Sequence, residues 1–361
     1  MALQIAHTTR DLSDRERTIL IDIIEHYIER GEPIGSRTLS KHISMALSPA
    51  TIRNVMSDLK DKDYLSQPHT SSGRVPTDKG LRFYVDTILK QKQTRVYKML
   101  HSVELGRDII KQDLSDVLNR VSGLLAELSG EAGLVLTPQI SKMRLKSLGL
   151  VKLAEKKIIV IFVSESGFVQ DKIVFIEEDV SKSELTKISN YINHHFEGKS
   201  IPQIMATLRH LIEEDRVAYD KLYRHVVAIS TKCFGYEAHQ GDEENLYITG
   251  TNQIVDKLDA LDFKQVKSLL EGFETKTRLL KVLQSFISAC NKDDLVVSIG
   301  RENHEDFLTR CSIVSAPYSY NGDNYGIVGV IGPKRMDYSY AISVVSHIAR
   351  QLSKLLEELT V

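Results

Sequence analysis

The sequence is poor in cysteine. It holds three, Cys233, Cys290 and Cys311, far apart and odd in number, so neither a disulfide framework nor a paired zinc-finger spacing is available. Buried, reduced thiols are the expectation, which places the chain in a reducing cytoplasm. Long apolar runs are also missing. The densest, Ile158 to Val163, is far too short to span a bilayer, and the first residues contain no apolar signal core. No membrane is therefore expected among its partners. Charge of one sign is not in excess either: 47 Lys and Arg stand against 48 Asp and Glu. Titratable clusters suited to catalysis are absent as well. His194 and His195 are neighbours on a helix and cannot both face one metal, and no carboxylate is placed beside them. No catalytic residue, metal or cofactor is expected.

Two remaining motifs have bland readings that outweigh their chemical ones. Gly326, Gly329 and Gly332 in GIVGVIGP lie inside an apolar run instead of between a strand and a helix. That favours close strand packing or a bulge over a phosphate loop. Arg301 to Asp306 is rich in polar groups and follows a strand. It could line a pocket, but it reads more simply as a solvated loop.

What is present concentrates between Pro33 and Pro76. Ser48 followed by Pro49 is a helix start: the serine caps free N–H groups, and proline at the first position loses nothing. Ile52, Val55, Met56 and Leu59 then recur at helical spacing and predict a buried face. The opposite face carries Thr51, Arg53, Asn54, Ser57 and Lys60. Arginine can pair with guanine or phosphate, and asparagine with adenine, so this face could read a major groove. Taken alone, the helix is equally well explained as a solvated amphipathic one. Its surroundings tip the balance. Ser36 is placed to cap an earlier short helix with Leu39 and Ile43 inward, and Ser44 to Leu47 has helix-turn-helix length. Tyr64 to Ser66 reads as a strand, His69 to Gly73 as a turn, and Arg74-Val75 as the returning strand of a basic wing. From Ile34 to Lys92, ten Lys and Arg face five Asp and Glu, a local excess suited to phosphates. The candidate DNA contacts are Ser36, Arg37, Ser48, Thr51, Arg53, Asn54, Ser57, Lys60, His69, Ser72 and Arg74.

Along the rest of the chain, Ser13 and Glu16 predict a capping box on a first helix with Ile19, Ile23 and Tyr27 inward and Gly31 at its end. His26 on that helix reads as a packing or surface residue. Thr77 caps a helix running to Leu89, and Lys90 to Lys98 reads as a basic linker. A helix over Leu105 to Leu128 is broken by Gly130 and Gly133. Leu145 to Val151, Lys157 to Val163 and Phe168 to Phe175 read as an antiparallel meander turning at Gly167. Helices follow around Leu185 to Ile192, Met205 to Ile212 and Arg216 to Ser230. Then come a strand at Asn245 to Thr249 and a helical stretch over Asp262 to Asn291 with Phe263, Val266, Leu269, Leu270 and Phe273 inward. Strands at Leu295 to Ile299, Cys311 to Ala316 and Tyr325 to Ile331 precede a last helix from Tyr338 to Leu359 whose apolar face includes Ile342 and Val345. The pattern is α+β.

The runs LSDRERTILIDIIEHYIERGEPIGSRTLSK, SPATIRNVMSDL and SSGRVPTDKGLRFYVD, with NLYITGTNQIV, IGRENHEDFLTRCSIVSAPY and GVIGPKRMDYSYAISVV further on, resemble the HrcA family of bacterial heat-inducible transcription repressors. The resemblance spans nearly the whole chain. It implies a winged helix-turn-helix over 1–90, a GAF-like antiparallel sheet domain over 91–180 and 256–361, and an inserted α/β dimerisation domain over 181–255. It also implies a homodimer on an inverted-repeat operator in double-stranded DNA, repression of class I heat-shock operons, and a chaperonin partner that keeps the repressor active. A small-molecule sensor or an enzyme built on a GAF-type domain are the competing classes.

Overall fold

The computed structural model describes residues 12–43, 45, 47–68, 73–91, 114–137, 143–165, 169–213, 221–234, 246–257, 263–274, 276–289, 295–320 and 323–358. The first ten residues, Ser44, Gly167 and the linker stretch 92–98 lie outside them. Helix α1 (Asp14–Arg30) begins with the expected box: Ser13 Oγ accepts from Glu16 N, and the Glu16 carboxylate accepts from Ser13 N at 2.7 Å. Gly31, at φ 73°, ends it in the left-handed conformation glycine tolerates. The buried face is Ile19, Leu20, Ile23 and Ile24, with Tyr27 only half-buried. His26 is half-buried, its ring 6.0 Å from that of His42. Then follow α2 (Ser36–Leu39), α3 (Pro49–Asp61), the two-strand hairpin β1 (Leu65–Ser66) and β2 (Val75–Pro76), and α4 (Asp78–Gln91). Thr77 Oγ1 accepts from Gly80 N at 3.2 Å, capping α4 as expected. Leu39, Ile52, Leu59, Tyr64, Leu81 and Val85 close the core of this N-terminal unit.

The second body is built on a five-stranded antiparallel sheet. Its strands are β3 (Ala132–Leu136), β7 (Leu246–Thr249), β8 (Val296–Ile299), β9 (Cys311–Tyr320) and β10 (Asp323–Pro333), in the order β7-β3-β10-β9-β8. Both faces are covered, so its strands are apolar on both sides. Val135, Val314, Val328 and Val330 face α5 (Leu114–Ser129) and the last helix, α12 (Tyr338–Glu358). Leu134, Leu136, Ile313, Ile327 and Ile331 face α9 (Thr251–Lys257), α10 (Phe263–Glu274) and α11 (Lys276–Ala289). Gly133 does not break a helix. It lies in β3, where an added Cβ would overlap the carbonyl of Ser122 on α5, so glycine lets helix and strand approach. The helical stretch expected over 262–291 holds two helices, α10 and α11, and Leu270 is exposed while Leu269 and Phe273 are buried. On α12 Ile342 is only partly buried; Val344, Val345 and Ile348 form the seat. Cys311 is buried and free, its thiol pushed up to about 12 by burial. The side chains of Cys233 and Cys290 lie outside the described residues.

The meander forms as expected: β4 (Leu145–Ala154), β5 (Lys157–Ser164) and β6 (Val169–Phe175) are antiparallel in sequence order. It makes a sheet of its own, packed on α6 (Lys182–Phe196) and, through β6, on α8 (Lys221–Phe234), with α7 (Ile201–Glu213) behind. Asn193 on α6 accepts from Leu148 N at 2.6 Å and donates to Leu148 O at 3.2 Å, tying helix to strand. Among the described residues β4 to β6 form a sheet of their own, whereas β7 pairs with β3 in the five-stranded sheet.

Candidate nucleic-acid interface

Helix α3 presents the two faces its sequence demands. Ser48 Oγ accepts from Thr51 N at 3.1 Å and lies 2.9 Å from Thr51 Oγ1, which fixes the first turn. Ile52, Val55, Met56 and Leu59 are buried against α1 and α2. At 100° per residue, that leaves Ala50, Arg53, Asn54 and Ser57 along the centre of the outward stripe, all exposed. Thr51, half-buried and engaged with Ser48, and Lys60, exposed, lie on its flanks. Asp58 and Asp61 are exposed farther along. Carboxylates there repel phosphate, so the first two turns are the part suited to an anionic partner.

Arg74 stands beside α2, not alone in a hairpin. Its N–H donates to Ile34 O at 2.8 Å, and Ile34 N donates to Arg74 O at 3.1 Å. This isolated bridge ties Ile34, two residues before Ser36, to the residue that precedes β2. Gly73 makes the approach possible, because a Cβ there would run into the Ile34 backbone. Ser36 is not the cap of α2. It is the first helical residue, and Gly35 holds the cap position without a side-chain bond, since the chain is still extended at 35. Arg37 follows it, exposed. The bridge thus brings Arg74 to the chain that leads into α2, which carries Ser36 and Arg37 and packs on α3. His69 and Ser72 lie outside the described residues.

The local positive charge is not all free to meet a partner. Lys62 Nζ pairs with Glu16 at 2.7 Å. Burial alone raises the Glu16 carboxyl, but Lys62 and the Ser13 hydrogen bonds outweigh it and hold the group below its usual value. Lys79 donates to Lys62 O at 2.8 Å and sits 4.4 Å over the Tyr64 ring. Arg82 pairs with Asp86 and Glu302. Arg37, Lys41, Arg53 and Lys60 are exposed and take part in no ion pair among the described residues. Sequence reading passed over Lys41 and Ala50. The signal for Ala50 was its place three and four residues before Arg53 and Asn54, where a methyl can meet a thymine methyl. Among the described residues no group of His, Cys, Asp or Glu could hold a metal, and no helix is long and apolar enough to cross a membrane.

Comparison with known proteins bears on this arrangement. The family model described as the HrcA protein C terminal domain matches residues 115–342. The heat-inducible transcription repressor HrcA of Syntrophobacter fumaroxidans is 35% identical over 96% of this chain and 98% of its own. That of Geobacter sulfurreducens is 35% identical over 96% of this chain and 99% of its own. The chain belongs to the HrcA family. The HrcA family is one of transcription repressors, not of enzymes. Its C-terminal model leaves α1 to α4 unmatched, but the full-length HrcA relatives include them. A crystal structure of a hypothetical protein, 24% identical, covers 96% of this chain and 99% of its own with a TM-score of 0.61, so the fold is shared over both lengths.

Proposed function

We propose that this HrcA-family chain represses class I heat-shock operons, those of chaperonin and chaperone genes, as a homodimer on an inverted-repeat operator. The observation that carries the reading is α3: a capped helix, buried on one side, that holds Arg53, Asn54 and Ser57 outward beside a ribbon bearing Arg74. In this reading residues 1–90 are a winged helix-turn-helix, with α3 in the major groove and the ribbon as the wing. The five-stranded sheet with its two helix layers is the GAF-like domain. The strand pairing supports drawing the inserted dimerisation domain at 143–234 in place of 181–255. A gel-shift titration against the inverted repeat upstream of chaperonin genes tests the assignment. Binding no tighter than to scrambled duplex at the same salt would refute it.

The dimer contact is best supported on the meander. The sheet face away from α6 leaves Val151, Leu153, Val169, Ile173 and Phe175 exposed, with Phe175 at 65%. Three strands about 4.8 Å apart and about 23 Å long present a flat face of about 330 Å². A standard interface needs about 800 Å² per partner, so the face would be its apolar centre and the flanking helices its rim. A second copy is the fitting occupant, because two such faces stack as sheets do.

The chaperonin is the proposed partner that keeps the dimer competent. Ile158 to Val163 is β-prone, uncharged and free of proline, and exposing it during folding invites aggregation. Refolding with and without chaperonin, followed by operator binding, tests this role. Equal recovery of active dimer would exclude it.

A further inference from the structure

Two sequence blocks have no part in the reading surface: 299–306, after β8, and 333–340, after β10. Both lie at one end of the five-stranded sheet, past the C-terminal ends of β8 and β10, and α4 rests on them. Arg82 Nε donates to Glu302 Oε1 at 2.9 Å, a second guanidinium N–H reaches Glu302 Oε2, and Nη2 donates to Val297 O at 2.7 Å. Asp78, in the first turn of α4, accepts from Lys334 Nζ at 2.7 Å and from Arg301 N at 3.2 Å. Gly300, at φ 55°, runs so close to this carboxylate that a Cβ would overlap it. Arg335 donates to Lys257 O at 2.9 Å, and its guanidinium lies against Gly31 at the end of α1.

The seat beneath these groups is hydrogen-bonded within itself. Tyr338, fully buried, donates to Lys334 O at 2.7 Å and meets the Ser312 hydroxyl at 2.7 Å. Asn303, also buried, donates to the carbonyls of Gly300, Leu308 and Cys311 and staples the other block. Within 301–306, which reads as a solvated loop, Arg301, His304 and Asp306 are exposed, while Glu302 and Asn303 are tied into the fold.

A forked guanidinium–carboxylate pair with a third bond to a backbone carbonyl fixes an angle as well as a distance. We propose that this clamp sets the position of α3 relative to the dyad, so that Arg82 and Asp78 determine which half-site spacing the repressor accepts. The inference rests on the inverted-repeat reading. The path is continuous: α4 packs on α1 and β2, and α1 packs on α3. A rotation of α4 on its seat therefore carries the reading helix with it. The tolerance is small, because one extra base pair moves a half-site by about 3.4 Å and turns it by about 35°.

The test uses the full-length protein and fluorescence anisotropy on three kinds of duplex. One carries the operator at its natural spacing, a set has the spacer changed by one and two base pairs, and one carries a single half-site. Wild type should discriminate against each altered spacer by about tenfold, the scale of one badly met contact. Arg82→Ala and Asp78→Asn should bind the half-site as wild type does, yet discriminate among spacers by less than about threefold. Combining Arg82→Ala with Glu302→Ala should add nothing beyond either alone. A variant that melts cooperatively and keeps wild-type spacing discrimination overturns the proposal. So does equal loss on the half-site, which would mean that these residues only hold the reading unit together. If Arg82→Ala does not fold, Asp78→Asn and Lys334→Met carry the same comparison at the second contact, and collapse of all three would overturn the clamp as a positioning device. Wild type indifferent to spacing would instead refute the inverted-repeat reading, and this inference with it.

Discussion

Replacing Arg53 with alanine isolates the proposed DNA contact from the fold. Arg53 is the fifth residue of the 13-residue α3, about 6 Å along the axis from Pro49. It is exposed and takes part in no ion pair among the described residues, while its neighbours Ile52 and Val55 supply the buried face. Alanine is the best helix former, so Arg53→Ala should change stability by less than about 0.5 kcal/mol. Binding should respond far more. A bidentate contact from arginine to guanine contributes about 1–3 kcal/mol, or about 5- to 150-fold in Kd for each half-site. The assay is a gel-shift titration on the operator and on duplexes substituted at each half-site base, at several salt concentrations. A base reader loses discrimination at one position while the salt slope stays nearly fixed. Uniform weakening would reassign Arg53 to phosphate. Unchanged affinity and unchanged base preference would refute the placement of α3 as the reading helix.

Three further outcomes follow from particular contacts. Arg74→Ala should weaken binding to all sequences alike and flatten the plot of log affinity against log salt by about 0.9, the effect of one lost phosphate contact; a sequence-selective loss would contradict this. Ile173→Asp with Phe175→Asp, on the exposed meander face, should convert the proposed dimer to a monomer in light scattering, and a surviving dimer would move the interface elsewhere. Glu16→Gln should cost about 1 kcal/mol near neutral pH by weakening the capping box and the Lys62 pair. Because the folded protein holds this carboxyl below its usual value, its contribution is complete above the ordinary glutamate range. It disappears as pH falls through the lowered folded value. Urea midpoints of variant and wild type should therefore converge in acid, and a gap independent of pH would exclude the pair as the cause.

Local chemistry was legible in the sequence, and long-range pairing was not. Ser48-Pro49, the Ser13–Glu16 box and Gly31 act within a turn of themselves, so their residue types announce them. The meander showed itself because one face is packed and the pattern alternates. Strand β3 did not, because it is five residues long and buried on both faces, leaving no alternation between two helix-like signals. The Ile34–Arg74 bridge is one residue on each side and carries no period at all. The polar block 301–306 read as a solvated loop because its partners, Asp78 and Arg82, lie over two hundred residues away in the chain. At the candidate site the outward face of α3 was readable residue by residue. What could not be read was how much of the basic charge nearby is spent internally, since Lys62 and Arg82 find their carboxylates on other elements.

The same division between local and distant contacts bears on control. The N-terminal unit has local contacts of its own, α1 with α3 and α4 and α2 with α3, in a core continuous with that of the sheet domain. The five-stranded sheet must instead bring Ala132 beside Ile331 and Gly133 beside Thr249, with the whole meander and α6 to α8 looped out between β3 and β7. Pairings of that separation pay their loop-closure entropy before any contact rewards it, so they form late. On this order of events α3, built from near neighbours, forms before the end of the sheet that seats Asp78 and Arg82. On the proposed function, a shortage of chaperonin would act first on the sheet and the inserted meander. Operator binding would then fail because two sound reading helices are no longer held at a fixed separation. On that proposal the repressor would report on folding capacity through its slowest-forming part, without any change in the residues proposed to touch DNA.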